Sequence, residues 1–372
     1  MRGVSKVGPG DAERRTGAAG WSALLGGRIE ASGADRRLLA AWAERIADLL
    51  SPALAEHLLG PAQERTGPLI DPERAAKGRL YATFLYQRQI DAVRLLQGRG
   101  IRFVCLKGFA LAHQIYALPQ ARIVGDVDLL VDPADLDRAT GALAAAGFTA
   151  MPIPSRFGFI SEASFLPIVS PDRQVAIDLH VAPDAWPAAR ALTAAAVFAW
   201  AVPFRAGGLD LLGPAPEHAF FLLLTNIAKD RFGPEGVRKA LDAALLLRAG
   251  VAFDWELVGA LVASGGYARA LAAFLRLLQR LGAETGAPHA HRAPIRARVE
   301  REVERVADLY VTAQVPRLDF YDKLRRELLL GPDPLSVAQI NLRRLIGLVH
   351  PGTGLPPGMP ERRQPRRPLE NP

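Results

Sequence analysis

Two acidic residues separated by one apolar residue, Asp126 and Asp128, are the part of the sequence best suited to chemistry. They belong to the segment 123–131, which we predict to be a strand. Alternate residues of a strand share a face, so both carboxylates point the same way while Val127 and Leu129 face the core. A divalent cation such as Mg²⁺ turns the repulsion between two such carboxylates into binding. The alternative is a solvent-exposed strand end whose aspartates cap the following helix, and this short motif alone does not decide.

A third carboxylate, Asp178, stands downstream in the alternating segment 175–181. The odd-numbered residues of this segment are apolar and share one face, while Asp178 and His180 share the other. If this strand lies beside the strand of Asp128, three carboxylates meet at one edge of the sheet. Such an edge holds two metal ions, or one metal ion and a base. A polar strand face by itself is more often only exposed to solvent, so the argument depends on the combination.

A turn with phosphate-binding character precedes these strands. Gly108 separates a predicted strand at 102–106 from a predicted helix at 109–116. Backbone amides at a helix N-terminus attract phosphate, and Lys107 can neutralise phosphate charge. Arg122 can clamp a phosphate or pair with one of the aspartates. The alternative for this motif is a tight turn with an exposed lysine.

The elements that must position these residues form an α+β fold. Periodicity predicts a small mixed-sheet unit, flanked by an N-terminal helical segment and a C-terminal helical bundle. Both ends of the chain are rich in Gly, Ala, Pro or charge, which is typical of disorder. The predicted parts are a disordered segment at 1–27, helices at 28–97, the α/β domain at 98–205, a helical domain at 206–350 and a disordered Pro/Arg-rich tail at 351–372.

Two local patterns inside the α/β domain are specific enough to test. The segments 164–169 and 174–181 are predicted to form a hairpin across the turn 170–173. A helix is predicted to begin at the N-cap Asp132 and to stop at Gly147.

The composition narrows the class of protein. Apolar residues make up 49% of the 372 residues and charged residues 23%, as in globular proteins. The single cysteine, Cys105, excludes a disulfide framework and a cysteine-rich zinc site. Because no signal peptide and no apolar run of ~20 residues is visible, we expect a cytoplasmic protein with no membrane partner.

The net charge of +8 raises the question of nucleic-acid binding. The segments 1–20 and 351–372 each carry a net charge of +2, so about half of the excess lies in the two ends. No basic motif interleaved with aromatic residues is present. Direct nucleic-acid binding is therefore not expected.

Taken in order along the chain, these motifs resemble the uncharacterised nucleotidyltransferase family of the DNA polymerase β-like superfamily. The family pattern is a Leu-Lys-Gly turn, a short helix ending near a Tyr, an Arg, an Asp-x-Asp-Leu-Leu-Val strand and a later strand with Asp-Leu-His. The resemblance covers about 75–345. The matching residues here are 106–108, Tyr116, Arg122, 126–131 and 178–180.

The resemblance implies a site for Mg²⁺ or Mn²⁺ held by Asp126 and Asp128. Asp178 would complete this site and help to activate an acceptor hydroxyl, and Gly108 would lie against the triphosphate of a nucleoside triphosphate. The hydroxyl would attack the α-phosphate in line, and pyrophosphate would leave. The implied partners are a nucleoside triphosphate and an unidentified hydroxyl acceptor, which is a small molecule, a peptide or a protein.

Further contacts to substrate are predicted for three residues. His180 shares a face with Asp178, and Lys239 and Asp242 lie three residues apart on the predicted helix 236–249. In the family, this half of the chain forms a wall over the nucleotide. The alternative for the two helical residues is a pair of surface charges.

Two departures from the superfamily pattern leave other functions open. Phe109 stands where a serine usually binds phosphate, and the gap from Gly108 to Asp126 is long. A catalytically degenerate regulatory or scaffold protein with the same fold is therefore one alternative. A glycosyltransferase that holds a nucleotide-sugar diphosphate at Asp-x-Asp is another, disfavoured because too few strands precede the motif.

Overall fold

The chain folds into two compact units, each built from separate stretches of sequence. The computed structural model describes residues 10–27, 35–152, 161–250, 252–288, 291, 295–349, 352 and 354–359. The helical unit comprises Met1–Phe84, Ile115–Ile123 and Pro216–Val337. The sheet unit comprises Leu85–Gln114, Val124–Ala215 and Ala338–Pro372. The N-terminal helices and the C-terminal bundle thus share one unit, although more than a hundred residues separate them in sequence.

A five-stranded mixed sheet forms the centre of the sheet unit, as the α+β prediction requires. Its strand order is β1-β2-β5-β4-β3, with β2 parallel to β5 and the other pairs antiparallel. A separate hairpin consists of β6 and β7. The strands are β1 Phe103–Cys105, β2 Val127–Val131, β3 Thr149–Ala150, β4 Ile168–Val169, β5 Ala176–His180, β6 Val202–Ala206 and β7 Leu209–Gly213.

The core of the sheet unit follows the predicted alternation. Val127 and Leu129 of β2, and Ile177 and Leu179 of β5, are completely buried in one apolar cluster. Burial of each such side chain contributes on the order of 1.5–3 kcal/mol, which holds the two strands on this face. The opposite face of the same strands carries the acidic residues.

The hairpin prediction is confirmed, whereas the predicted helix is confirmed at its end only, because the α-helix begins at Leu136 rather than directly after Asp132. Strands β4 and β5 pair antiparallel, with Ile168 opposite Ile177, and the turn between them contains Arg173 at φ 63°. Asp132 caps a short 3₁₀ turn and accepts a hydrogen bond of 3.0 Å from the amide of Ala134. The helix that follows ends just before Gly147, whose φ of 81° favours glycine.

Strand β2 starts later than predicted. The expected strand began at residue 123, whereas β2 begins at Val127, so Asp126 precedes the strand. The stretch 115–123 belongs to the helical unit, where Tyr116 and Arg122 are bonded to the same carboxylate. The gap between Gly108 and Asp126 is long because it includes this stretch of the helical unit.

The N-terminal segment predicted to be disordered contains a helix, so that prediction is wrong for residues 11–24. The helix packs because its glycines allow close approach: a Cβ on Gly17 would lie 2.0 Å from the carbonyl oxygen of Val311. Trp21 is fully buried and donates a 2.8 Å hydrogen bond to the carbonyl of Tyr310. The small residues that led to the prediction of disorder instead allow α1 to pack closely against the chain at Val311.

The tail prediction fails in the same way over residues 354–359. The carbonyl of Gly354 accepts a 2.8 Å hydrogen bond from the amide of Leu166, and Met359 is buried in the core of the sheet unit. Residues 361–372 of the predicted tail lie outside the described residues.

Helices account for most of the remaining described chain, and those of the helical unit pack on one another through apolar faces. The helices are α1 Asp11–Leu24, α2 Arg36–Leu49, α3 Pro52–Thr66, α4 Pro72–Gly98, α5 Lys107–Ile115, α6 Leu136–Ala145, α7 Ala194–Ala199, α8 Pro216–Lys229, α9 Glu235–Arg248, α10 Trp255–Gly265, α11 Ala268–Arg280, α12 Ala297–Val311, α13 Phe320–Leu330 and α14 Pro334–Val349.

Candidate metal and nucleotide site

The acidic residues meet where β2 and β5 run side by side. In this parallel pair, Asp128 is opposite Asp178, and Leu130 is opposite His180. Asp128, Asp178 and His180 each present a ligand atom, and these atoms lie within 4.8 Å of one another. The structure thus brings together three of the residues that the sequence singled out, and it places them in one small cluster.

Asp128 is the most deeply buried acid of the cluster. Its side chain is 5% exposed, and Oδ1 lies 2.8 Å from His180 Nε2 and accepts a 2.5 Å hydrogen bond from Lys107 Nζ. Burial raises the pKa of Asp128, but the charge of Lys107 and the hydrogen bond from His180 outweigh it and lower the pKa to about 2. Asp128 is therefore a carboxylate at neutral pH.

The direction of the hydrogen bond between His180 and Asp128 follows from the chemistry of the carboxylate. A carboxylate only accepts hydrogen bonds, so Nε2 donates to Asp128. Nδ1 is buried and has no hydrogen-bond partner. His180 therefore contacts the carboxylate cluster through Nε2.

Asp178 has an environment opposite to that of Asp128. Burial, then the negative charges of Asp128 and Asp126, raise the pKa of Asp178 to about 7. Its Oδ1 is buried and lacks a hydrogen-bond partner. Asp126 is the exposed acid of the cluster. Partial desolvation by the surrounding protein, and then the negative charge of Asp128, raise the pKa of Asp126. The two acids next to Asp128 thus need a positive charge that the described residues only partly supply.

These observations test whether a divalent ion fits. Carboxylate oxygens suit Mg²⁺ and Mn²⁺, and an imidazole nitrogen extends the set toward transition-metal ions such as Mn²⁺. One buried atom of the cluster, Oδ1 of Asp178, has no hydrogen-bond partner. The donor set therefore fits a divalent cation.

The Leu-Lys-Gly turn lies directly beside the cluster. The amide of Leu106 donates a 2.8 Å hydrogen bond to the carbonyl of Asp128, and α5 begins at the next residue, Lys107. Lys107 has a φ of 46°, which is uncommon for a residue with a Cβ, and Gly108 is the second residue of the helix. The first amides of α5 have no carbonyl acceptor within the helix, as at every helix N-terminus.

Phe109 is a core residue. It is 1% exposed, and its ring centroid lies 4.9 Å from that of His113. Phe109 thus contributes packing where a serine would contribute a hydroxyl.

Arg122 and Asp242 form a buried ion pair in the helical unit. Arg122 donates to Asp242 through Nε at 3.0 Å and through Nη2 at 2.6 Å, and the hydroxyl of Tyr116 donates to the same carboxylate at 2.7 Å. Arg122 is 7% exposed and Asp242 is fully buried. The structure therefore places both residues in a structural ion pair, and a role toward phosphate or substrate stays a prediction for each.

Lys239 lies on the same helix as Asp242, and its ammonium contacts the carboxylate of Asp230. Its predicted contact with substrate likewise stays a prediction.

One further acid was not singled out from the sequence. Asp184 is 7% exposed, four residues beyond His180. Burial alone lowers the pKa of Lys107, but attraction to Asp128, Asp184 and Asp178 outweighs it and raises that pKa. The available signal was an acidic residue in the loop directly after the strand that carries Asp178.

The fold and site together define a class of protein: a small mixed sheet with clustered carboxylates on adjacent parallel strands, set beside a helix N-terminus. A family model described as uncharacterised nucleotidyltransferase matches residues 33–283. The chain belongs to this family, and the matched range contains all the residues of the cluster. No curated protein and no solved structure matches the chain.

Among the residues that the structure describes, no helix has both the length and the apolar character needed to span a membrane.

Proposed function

We propose that the protein transfers a nucleoside monophosphate from a nucleoside triphosphate to a hydroxyl group of an acceptor, with Mg²⁺ or Mn²⁺ as cofactor. The observation that carries this proposal is the pairing of Asp128 with Asp178 across β2 and β5, beside the start of α5. Membership of a nucleotidyltransferase family supports the reaction class. The acceptor is a small molecule, a peptide or a protein.

The metal-binding residues in this proposal are Asp126, Asp128 and Asp178. His180 belongs to the same cluster and contacts Asp128 through Nε2. When bound, a divalent ion neutralises charge on the carboxylates and on the triphosphate, and polarises the α-phosphate. The residues hold one another in place through the hydrogen bonds to Oδ1 of Asp128, which orients the site before substrate arrives.

In this proposal, the triphosphate is bound at the N-terminus of α5. Lys107 and Gly108 are the first two residues of the helix, where free amides and the helix dipole favour anions. Phe109 fixes the helix start in the core.

The transfer forms one bond and breaks one. The acceptor oxygen bonds to the α-phosphorus, the bond from that phosphorus to the bridging oxygen of the β-phosphate breaks, and pyrophosphate leaves. The hydroxyl proton passes to water as the oxygen attacks. Asp178, the third carboxylate of the cluster, is the residue we assign to help activate this hydroxyl.

A second candidate function is nucleotide binding without transfer. The observation that favours it is Phe109, which supplies no hydroxyl for a phosphate at the helix start. The two candidates make different predictions for label transfer and the same prediction for nucleotide binding.

The test supplies each of the four α-³²P-labelled nucleoside triphosphates with Mg²⁺ or Mn²⁺ and a desalted cell extract as the source of acceptors. We expect label in one acceptor fraction with the wild type and a loss of at least a hundredfold with Asp128→Asn. The matched control is Asp137→Asn, the same substitution at an exposed residue of α6, which retains transfer.

Calorimetry with each nucleotide separates the outcomes. Binding without label transfer supports the second candidate. No nucleotide binding, with or without metal, overturns both.

A further inference from the structure

The ammonium group of Lys107 lies against a carboxylate oxygen that could also bind a metal ion. Its ammonium donates a 2.5 Å hydrogen bond to Oδ1 of Asp128 and lies 3.4 Å from Nε2 of His180. The side chain is 24% exposed, so the ammonium is largely withdrawn from water. Lys107 is therefore part of the carboxylate cluster rather than a mobile surface lysine.

The backbone keeps the lysine there. Lys107 is the first residue of α5, and the preceding amide, that of Leu106, is bonded to the carbonyl of Asp128. The left-handed φ of 46° is tolerated where the surrounding structure imposes it. Both the main chain and the side chain around Lys107 are thus tied to the same residue, Asp128.

The charges of the cluster indicate what the ammonium replaces. Several carboxylates lie around this one ammonium, and Asp128, Asp184 and Asp178 all attract it. A second divalent ion on Oδ1 of Asp128 would lie about 2 Å from that oxygen. It would then stand within a few ångströms of Nζ, in repulsion with it and in competition for the same lone pairs.

We propose that Lys107 takes the place of one metal ion, so that the site binds one divalent ion per chain and the ammonium supplies the remaining positive charge at Asp128. In this arrangement, the ammonium compensates the carboxylate and faces any bound phosphate as a second ion would. The use of this arrangement in nucleotidyl transfer rests on the proposed function, but the number of ions does not.

The experiment counts Mn²⁺ ions bound to the protein without nucleotide, by the electron paramagnetic resonance signal of free Mn²⁺ during a titration. We expect one Mn²⁺ per chain for the wild type. Lys107→Met keeps the length of the side chain, removes its charge and raises the number to two. Lys107→Arg keeps the charge and leaves the number at one.

Circular dichroism confirms that the variants are folded, and Lys107→Gln serves as a second neutral variant if Lys107→Met is not. Two ions in the wild type, none in the wild type, or one in the folded neutral variants overturns the proposal. If the wild type binds one Mn²⁺ and the neutral variants bind two, but no label is transferred, only the proposed function is contradicted. The two failures are therefore distinguishable.

Discussion

Asp128 lies opposite Asp178 on neighbouring parallel strands, with ligand atoms of the two residues within 4.8 Å of each other. At that separation, two unit charges repel by roughly 3–4 kcal/mol at an effective dielectric constant of about 20. The protein meets this cost unequally: Lys107 and His180 stabilise the carboxylate of Asp128, while Asp178 retains a proton until about pH 7. This asymmetry makes the cluster sensitive to both pH and metal.

The stability of the metal-free protein should fall as pH rises from about 4 to about 7 and level off above. Asp178 keeps its proton in the folded state, where its pKa is about 7, and loses it near pH 4 when unfolded. The folded state therefore binds more protons in this window, and deprotonation favours unfolding. Urea unfolding in EDTA at a series of pH values measures the slope.

The variant Asp178→Asn should remove most of this slope, because an amide neither titrates nor repels Asp128. At pH 8 we expect it to be more stable than the metal-free wild type by roughly 1–4 kcal/mol. Asp137→Asn is the control and keeps the wild-type slope. A steep slope that survives in Asp178→Asn would show that another group is responsible.

Metal affinity should show the opposite trend. A divalent ion must displace the proton of Asp178, so the apparent affinity for Mn²⁺ should rise about tenfold per pH unit from pH 5 to about 7, and then level off. Calorimetric titrations at pH 6 in buffers of different ionisation enthalpy should detect about one proton released per ion. At pH 9 the release from Asp178 should be close to zero, and equal proton release at both values would contradict the assignment.

Removal of one partner of the ion pair between Arg122 and Asp242 should destabilise the helical unit strongly. Asp242→Asn leaves the Arg122 guanidinium buried without a counter-charge, which costs about 3–5 kcal/mol. The double variant Arg122→Met with Asp242→Leu should cost less, since no charge is left buried. Urea unfolding gives both values.

The control for this ion pair is Asp308→Asn, which removes a half-exposed carboxylate 3.7 Å from Arg14 and should change stability by less than about 1 kcal/mol. Equal effects of Asp242→Asn and Asp308→Asn would refute a structural role for the buried pair.

Alanine at two helical glycines should have effects of opposite sign. In α1, a Cβ at residue 17 would meet the backbone of Val311, so Gly17→Ala should lower the melting temperature. In α6, a Cβ at residue 141 meets nothing within 4 Å, so Gly141→Ala should stabilise by about 0.5–1 kcal/mol through helix propensity. A neutral or stabilising Gly17→Ala would mean that α1 does not pack as closely as described.

Part of this site could be predicted from local sequence patterns. The alternation around Asp178 and around Asp128 places acids on one face and apolar residues on the other, because the side-chain period of a strand is set by backbone stereochemistry. Helix-capping preferences, which are also local, located the cap at Asp132 and the stop at Gly147. None of these inferences required knowledge of a partner distant in sequence.

Where a partner decides the outcome, local pattern was a poorer guide. Gly17 and its neighbours looked disordered because the sequence does not show that a helix almost three hundred residues later packs against them. Arg122 stood four residues before Asp126, yet its partner is Asp242, 120 residues away.

The sequence by itself therefore determined which residues face together on each strand, and through its motifs the family. Only the tertiary structure decided that β2 and β5 are parallel neighbours in the register that sets Asp128 against Asp178. It also placed the ammonium of Lys107 on Asp128. The physical reason is that a strand's periodicity is local to its own backbone, whereas strand order, register and ion pairing depend on which surfaces the whole chain buries together.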